Sequence, residues 1–159
     1  MIEFFDGKTL EIFGQLGLAA LLGALIGIER ELARKTAGMR TFALVSLGAA
    51  LFTIIPQVAF PNLTGSGFDP SRIASQVVVG IGFIGAGSII LSQSRVRGLT
   101  TAAGLWVSAA IGMATAYKLY ALAIFSTLIT IAILVVLWFI EQRFVKKLGN
   151  IAASAEDED

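Results

Sequence analysis

Five apolar stretches of this chain run without a single Lys, Arg, Asp or Glu, and no other feature limits the fold so tightly. They cover approximately residues 12–28, 41–60, 73–91, 99–117 and 119–140, with lengths from 17 to 22 residues. The hydrocarbon core of a bilayer takes about 20 mostly apolar residues per helix, within a range of about 17–25. A charge at the centre of such a helix costs about 2.5–3.5 kcal/mol, and here every charge lies at an end or in a connection. A helical bundle in water would need polar faces on most of its helices, and these segments lack them. Only 14% of the residues are charged and 56% are hydrophobic, against about 25% charged in an ordinary water-soluble domain. That balance excludes a disordered chain and a nucleic-acid-binding domain. The expectation is an all-α polytopic membrane protein. Residues 1–145 form one five-helix transmembrane domain, followed by a short acidic cytoplasmic tail over 146–159.

Basic residues set the direction of insertion, because Lys and Arg accumulate in cytoplasmic loops. Arg30, Arg34, Lys35, Arg40, Arg95, Arg97, Arg143, Lys146 and Lys147 fall on one side, and Lys8, Arg72 and Lys118 on the other. The N-terminus therefore faces out and the C-terminus faces the cytoplasm. Ile2, Phe4, Phe5 and Leu10 suit the outer interface, and the first residues do not read as a cleaved signal peptide. Tyr117, Tyr120 and Trp138 fall at membrane ends, as belt aromatics do. Pro56 should kink the second helix or end it early. Asp69, before Pro70 and Ser71, reads as an N-cap of the third helix on the outer side, with Arg72 beside it.

Cysteine and histidine are absent, which removes disulfides, thiolate and imidazole ligation and histidine acid–base chemistry. No nucleophile–base pair, phosphate loop or metal cluster is present, so no catalysis is expected. Gly80, Gly82, Gly85 and Gly87 spell G-x-G-x-x-G, but inside a hydrophobic span and outside a βαβ unit, so a dinucleotide fingerprint is rejected. Two readings stand for this glycine-rich third helix: close helix packing, or a broken helix of the kind that forms ion sites in transporters. Gly23 and Gly27 make a GxxxG pair in the first helix, and Gly104, Ser108 and Gly112 a small-residue stripe in the fourth. At an offset of 60, Lys35, Gly38, Thr41 and Ala43 align with Arg95, Gly98, Thr101 and Ala103. This suggests a parallel repeat of two helical hairpins, helices one–two and three–four.

Each hairpin turn joins basic residues, a glycine and a threonine at a helix N-terminus, where free N–H groups and the helix dipole favour an anion. Arg40, Thr41, Arg97, Thr100 and Thr101 would line a cytoplasmic anion pocket; topology alone would also place basic residues there. Glu29, beside Arg30, could pair with Arg40 or Arg97 across the bundle or accept a hard cation. One or two carboxylates among many guanidinium groups make a poor Mg²⁺ site, so an ion-pair network is the better account, and no cofactor is expected. Gln57, Ser75, Gln76 and Ser88 should hydrogen-bond between helices.

The blocks LLGALIGIERELARKTAGMRTFALVSLGAALF, DPSRIASQVVVGIGFIGAGSII and VRGLTTAAGLWVSAAIGMA together closely resemble the MgtC/SapB family, over roughly residues 15–120. The resemblance implies a multi-pass protein of a bacterial or archaeal inner membrane, linked to growth or survival at low Mg²⁺. Members carry the label of magnesium transporter, though transport by them is doubtful, and at least one acts on the membrane sector of the ATP synthase. The motif positions carried over are Glu29, Arg30, Gly38, Arg40, Thr41, Asp69, Arg72, Gly80, Gly82, Gly85, Gly87, Arg97, Gly98, Thr100 and Thr101. The resemblance gives these positions without roles. The best-known virulence members carry a soluble C-terminal domain, for which the residues after Ile140 are expected to be too few. The expected function is magnesium homeostasis through binding a membrane partner, lipid or anionic ligand, with a homodimer as a further partner. The alternative is Mg²⁺ or other ion transport through the third helix.

Overall fold

A computed structural model of the chain describes residues 6–59, 69, 71–92 and 95–145. Five α-helices dominate it: α1 (Gly7–Leu32), α2 (Met39–Ala59), α3 (Ser71–Gly87), α4 (Leu99–Ala116) and α5 (Tyr120–Ile140). A π-helical turn, Glu141–Val145, continues α5. Four helices are long and apolar enough to cross a membrane, and α3 is a shorter apolar helix. The fold is that of an all-α polytopic membrane protein.

One expected span needs correction, and so does one of the two alternatives expected at Pro56. The third was read as far as residue 91, but α3 stops at Gly87, and Ile90–Ser92 and Arg95–Arg97 form a small antiparallel hairpin, β1 and β2. Ile90, Leu91 and Val96 suit strands as well as a buried helix, and an apolar run this short does not distinguish the two. Pro56 does not end α2 early, since the helix runs through it to Ala59. Pro56 cannot donate to the Phe52 carbonyl. One residue along, Gln57 Nε2 donates to the Thr53 carbonyl at 2.9 Å and supplies an extra donor in that turn.

Helices α1 and α4 end alike. Arg34 (φ 53°) and Lys118 (φ 61°) each take the left-handed conformation just past the helix. The amides of Arg34 and Lys35 donate to the carbonyls of Glu31 and Arg30, and those of Lys118 and Leu119 to Thr115 and Ala114. Both are Schellman closures. Arg and Lys stand where glycine is usual, and their positive charge complements the negative end of each helix dipole.

Helices α1, α2 and α4 pack on one another to form the centre, while α3 and α5 lie against α4 on its remaining sides. Leu22, Ile26, Phe42, Leu105 and Ile111 fill the core at one level, and Ala19, Ala50, Ile54 and Ala116 at another. Phe42 and Ser46 of α2 meet Gly104, Ser108 and Gly112 of α4 in the same order along both helices, so α2 and α4 run parallel. Gln15 near the start of α1 donates to the carbonyl of Ala116 at the end of α4, so α1 is antiparallel to both. The start of α2 and the β1–β2 hairpin therefore share one end of the bundle. Most large side chains outside this centre are exposed, including Phe83, Phe125 and Leu128, as expected where lipid is the solvent.

Candidate functional site: the basic end of the bundle

Helix α1 carries Glu29 and Arg30 into its last turn as neighbours. The Arg30 guanidinium grips the Glu29 carboxylate with two nitrogens, Nε on Oε2 and a terminal nitrogen on Oε1 at 2.6 Å. Arg30 is only 3% exposed and Glu29 16%. A two-point fork of this kind is among the stronger charge-assisted contacts. Its position corrects the expectation of a bridge across the bundle: Glu29 pairs with Arg30, not with Arg40 or Arg97. Adjacent residues rarely meet on a regular helix face, but the long Arg30 stem can turn back along the helix end.

Glu31 also has a definite task. Its Oε2 accepts from the Met39 amide at 3.1 Å, so a carboxylate from α1 caps the N-terminus of α2. Gly38 leaves room for it, because a Cβ there would lie 2.8 Å from that oxygen. The anion expected at the start of α2 is therefore the chain's own. At the start of α4, Gly98 is the N-cap, with φ 94° and no capping side chain. A Cβ on Gly98 would run into the Ser88 carbonyl, so the closeness of the hairpin and the sign of φ both require glycine here. The two turns of the suggested repeat thus differ in construction: the left-handed residue is Arg34 in one and Gly98 in the other.

Of the remaining residues named for this end, Arg40, Thr41, Arg97 and Thr100 are exposed, whereas Thr101 is buried. Arg95 and Arg97 lie two apart on β2 and so share one face of the hairpin, opposite Leu91 and Val96. One end of the bundle is thus strongly basic, and the two carboxylates that α1 brings there, Glu29 and Glu31, are engaged internally.

The glycines divide by helix. A Cβ on Gly23 would lie 2.5 Å from the Phe42 carbonyl, one on Gly27 2.5 Å from the Met39 backbone, and one on Gly104 3.1 Å from the Phe42 ring. One on Gly112 would overlap the Ser46 carbonyl, and Ser108 Oγ donates to the Phe42 carbonyl at 3.0 Å. In α3 only Gly85 meets a neighbour, Ala102 at 3.6 Å; Gly80, Gly82 and Gly87 face open space. The packing expected of those three is not made within the chain, because α3 leans mainly on α4 and touches α2 only sparingly. Between α2 and α3 lies an apolar groove of ≈ 680 Å³. The sequence reading missed this groove, and it also missed the buried Gln15 and Ser46. Gln15 lies in a span and signals itself by polarity, whereas the groove depends on how α3 is placed.

Most of the side chains expected to bond between helices serve their own helix instead. Ser75 donates to the Arg72 carbonyl and Ser88 to the Gly85 carbonyl.

At the opposite end, hydrogen bonds from the side chain and then the amide of Thr9 hold the Asp6 carboxyl below its usual range. Lys118 bonds Glu11 at 2.7 Å, which raises its pKa. The Asp69 backbone carbonyl accepts from the Arg72 amide at 3.1 Å, and Arg72 is exposed. Pro70, most of the connection before it and the acidic tail lie outside the described residues.

Close small-residue contacts among α1, α2 and α4, long apolar helices and a basic end define a polytopic helical membrane protein. The chain belongs to the MgtC family, whose model matches residues 16–143. It is 44% identical to "Putative magnesium transporter YhiD" of Escherichia coli K12 over 87% of this chain and 66% of the relative. It is 43% identical to "Protein MgtC" of Salmonella typhimurium LT2 over 88% of this chain and 56% of the relative. A match to "Protein MgtC" of Brucella abortus is 46% identical over 72% of this chain and 46% of the relative. The chain thus spans between about half and two thirds of the curated relatives it matches. No solved structure matches.

Proposed function

We propose that this chain is an inner-membrane protein of magnesium homeostasis that acts by presenting its basic end to a membrane partner or an anionic ligand. The magnesium link rests on the family and on the printed name of the YhiD relative. The mode of action rests on one observation: the Glu29 carboxylate is already gripped by Arg30. A Mg²⁺ ion needs near-octahedral oxygen ligands and gives up water reluctantly. Taking Glu29 as a ligand would strand a guanidinium that is only 3% exposed, and breaking a buried pair costs about 3–5 kcal/mol. Arg40, Arg95 and Arg97 are exposed at the same end and would repel a dication while attracting an anionic surface.

Mg²⁺ uptake into liposomes carrying the purified protein, read with an internal dye, tests this directly. The expected result is no uptake above protein-free vesicles. Arg40→Ala and Arg97→Ala should weaken low-Mg²⁺ growth support in cells while inserting normally. Robust flux abolished by Glu29→Gln would replace this reading with a transporter, as would wild-type growth support from both arginine variants.

A further inference from the structure

The groove between α2 and α3 exists because Gly48 and Gly80 carry no side chain and the two helices touch sparingly. A Cβ at either glycine would meet nothing within 4 Å. Thr41, Leu44, Gly48 and Phe52 form one wall, and Gln76 and Gly80 contribute to the other. From Thr41 to Phe52 the helix rises about 16 Å, close to the roughly 15 Å depth of one leaflet's hydrocarbon. Apart from Thr41 and Gln76 the lining is apolar, which suits an extended acyl chain. Charge marks which end the head group takes. Arg40 precedes Leu44 by one turn and Gly48 by two, so it stands on the groove's own helix face. It is exposed at the basic end, beside the Thr41 hydroxyl that lines the mouth.

We propose that the α2–α3 groove binds one acyl chain of an anionic phospholipid whose phosphate is held at Arg40 and Thr41. The apolar wall supplies binding, and Arg40 supplies preference for the anionic head group. This goes beyond the proposed function: the groove would take lipid whether or not a partner meets the basic end, and either reading can fail alone.

Native mass spectrometry of the purified full chain, exchanged into phosphatidylglycerol or phosphatidylcholine with matched chains, reads the outcome. Wild type should retain one phosphatidylglycerol per chain and prefer it about fivefold, the worth of one basic side chain near a membrane surface. Arg40→Gln should abolish the preference while still holding either lipid. Gly48→Leu and Gly80→Leu should cut retention of both lipids about tenfold, with helical content unchanged. Equal retention of the two lipids by wild type would overturn the proposal, as would undiminished retention by folded leucine variants. So would a dimer that Gly80→Leu disperses while lipid stays bound, since a second copy would then own the groove. Should the leucine variants not fold, wild-type selectivity and Arg40→Gln still decide.

Discussion

At the scale of single residues, the buried hydroxyls show what the bilayer demands. Thr53, Thr115, Thr127 and Thr130 each donate back to the carbonyl four residues earlier in their own helix. Ser46 would do the same to Phe42, but Ser108 from α4 already uses that carbonyl. Ser46 Oγ, fully buried, is left without a partner. An unsatisfied buried polar group costs about 1–3 kcal/mol, so Ser46→Ala should be neutral or stabilising by up to about 1 kcal/mol. Ser108→Ala should cost little, about 0.6 kcal/mol or less, because Ser46 inherits the freed carbonyl. The double variant should then lose more than the two single changes together suggest. Reversible unfolding in mixed micelles measures all three, and a Ser46→Ala variant destabilised beyond about 1 kcal/mol would refute this account. None of it was legible in the sequence. Ser108 stood out as a small residue in a stripe, but which of two serines holds the shared carbonyl depends on the register of α2 against α4. Glu29 was legible as an oddity beside Arg30, but neither its fork to that arginine nor the Glu31 cap on the Met39 amide was.

At the scale of elements, the apolar runs located the helices well because hydrophobicity and span length are one constraint in lipid. Their ends followed other physics. Arg34 and Lys118 close α1 and α4 at positions where glycine would have been the signal. The stop of α3 at Gly87 and the hairpin beyond it lay hidden in a continuous apolar string. Glycine content likewise misled for α3, because glycine marks either a close approach or an open face. Substitution separates the two. Gly112→Ala should cost about 2–3 kcal/mol, since its Cβ meets a Ser46 backbone carbonyl that has no rotamer to change. Gly82→Ala meets open space and should gain up to about 1 kcal/mol from helix propensity alone. Thermal unfolding of the two variants in one detergent should move their midpoints in opposite directions. A Gly82→Ala variant as damaged as Gly112→Ala would mean that α3 is packed in the assembled protein against something beyond its own chain.

For the whole molecule, the same arrangement of helices could sit in the membrane either way up, and only the unequal charge of its two ends decides. One end carries Arg30, Arg34, Lys35, Arg40, Arg95 and Arg97 near the α1–α2 connection and the β1–β2 hairpin. The other carries Lys8, Arg72 and Lys118, the last at the turn between α4 and α5 and bonded to Glu11. Six basic residues against three bias the first end toward the cytoplasm. The absence of native cysteine makes the orientation directly measurable, since each introduced thiol is then the only one. Thr36 lies in the α1–α2 connection and Leu119 at the start of α5, both exposed. In intact cells or spheroplasts, a membrane-impermeant maleimide should label Leu119→Cys and leave Thr36→Cys unmodified until the membrane is opened. The reverse pattern would put the arginines outside. Arg40 would then face the outer leaflet, and both the basic-end function and the phospholipid at the α2–α3 groove would lose the anionic cytoplasmic surface they require.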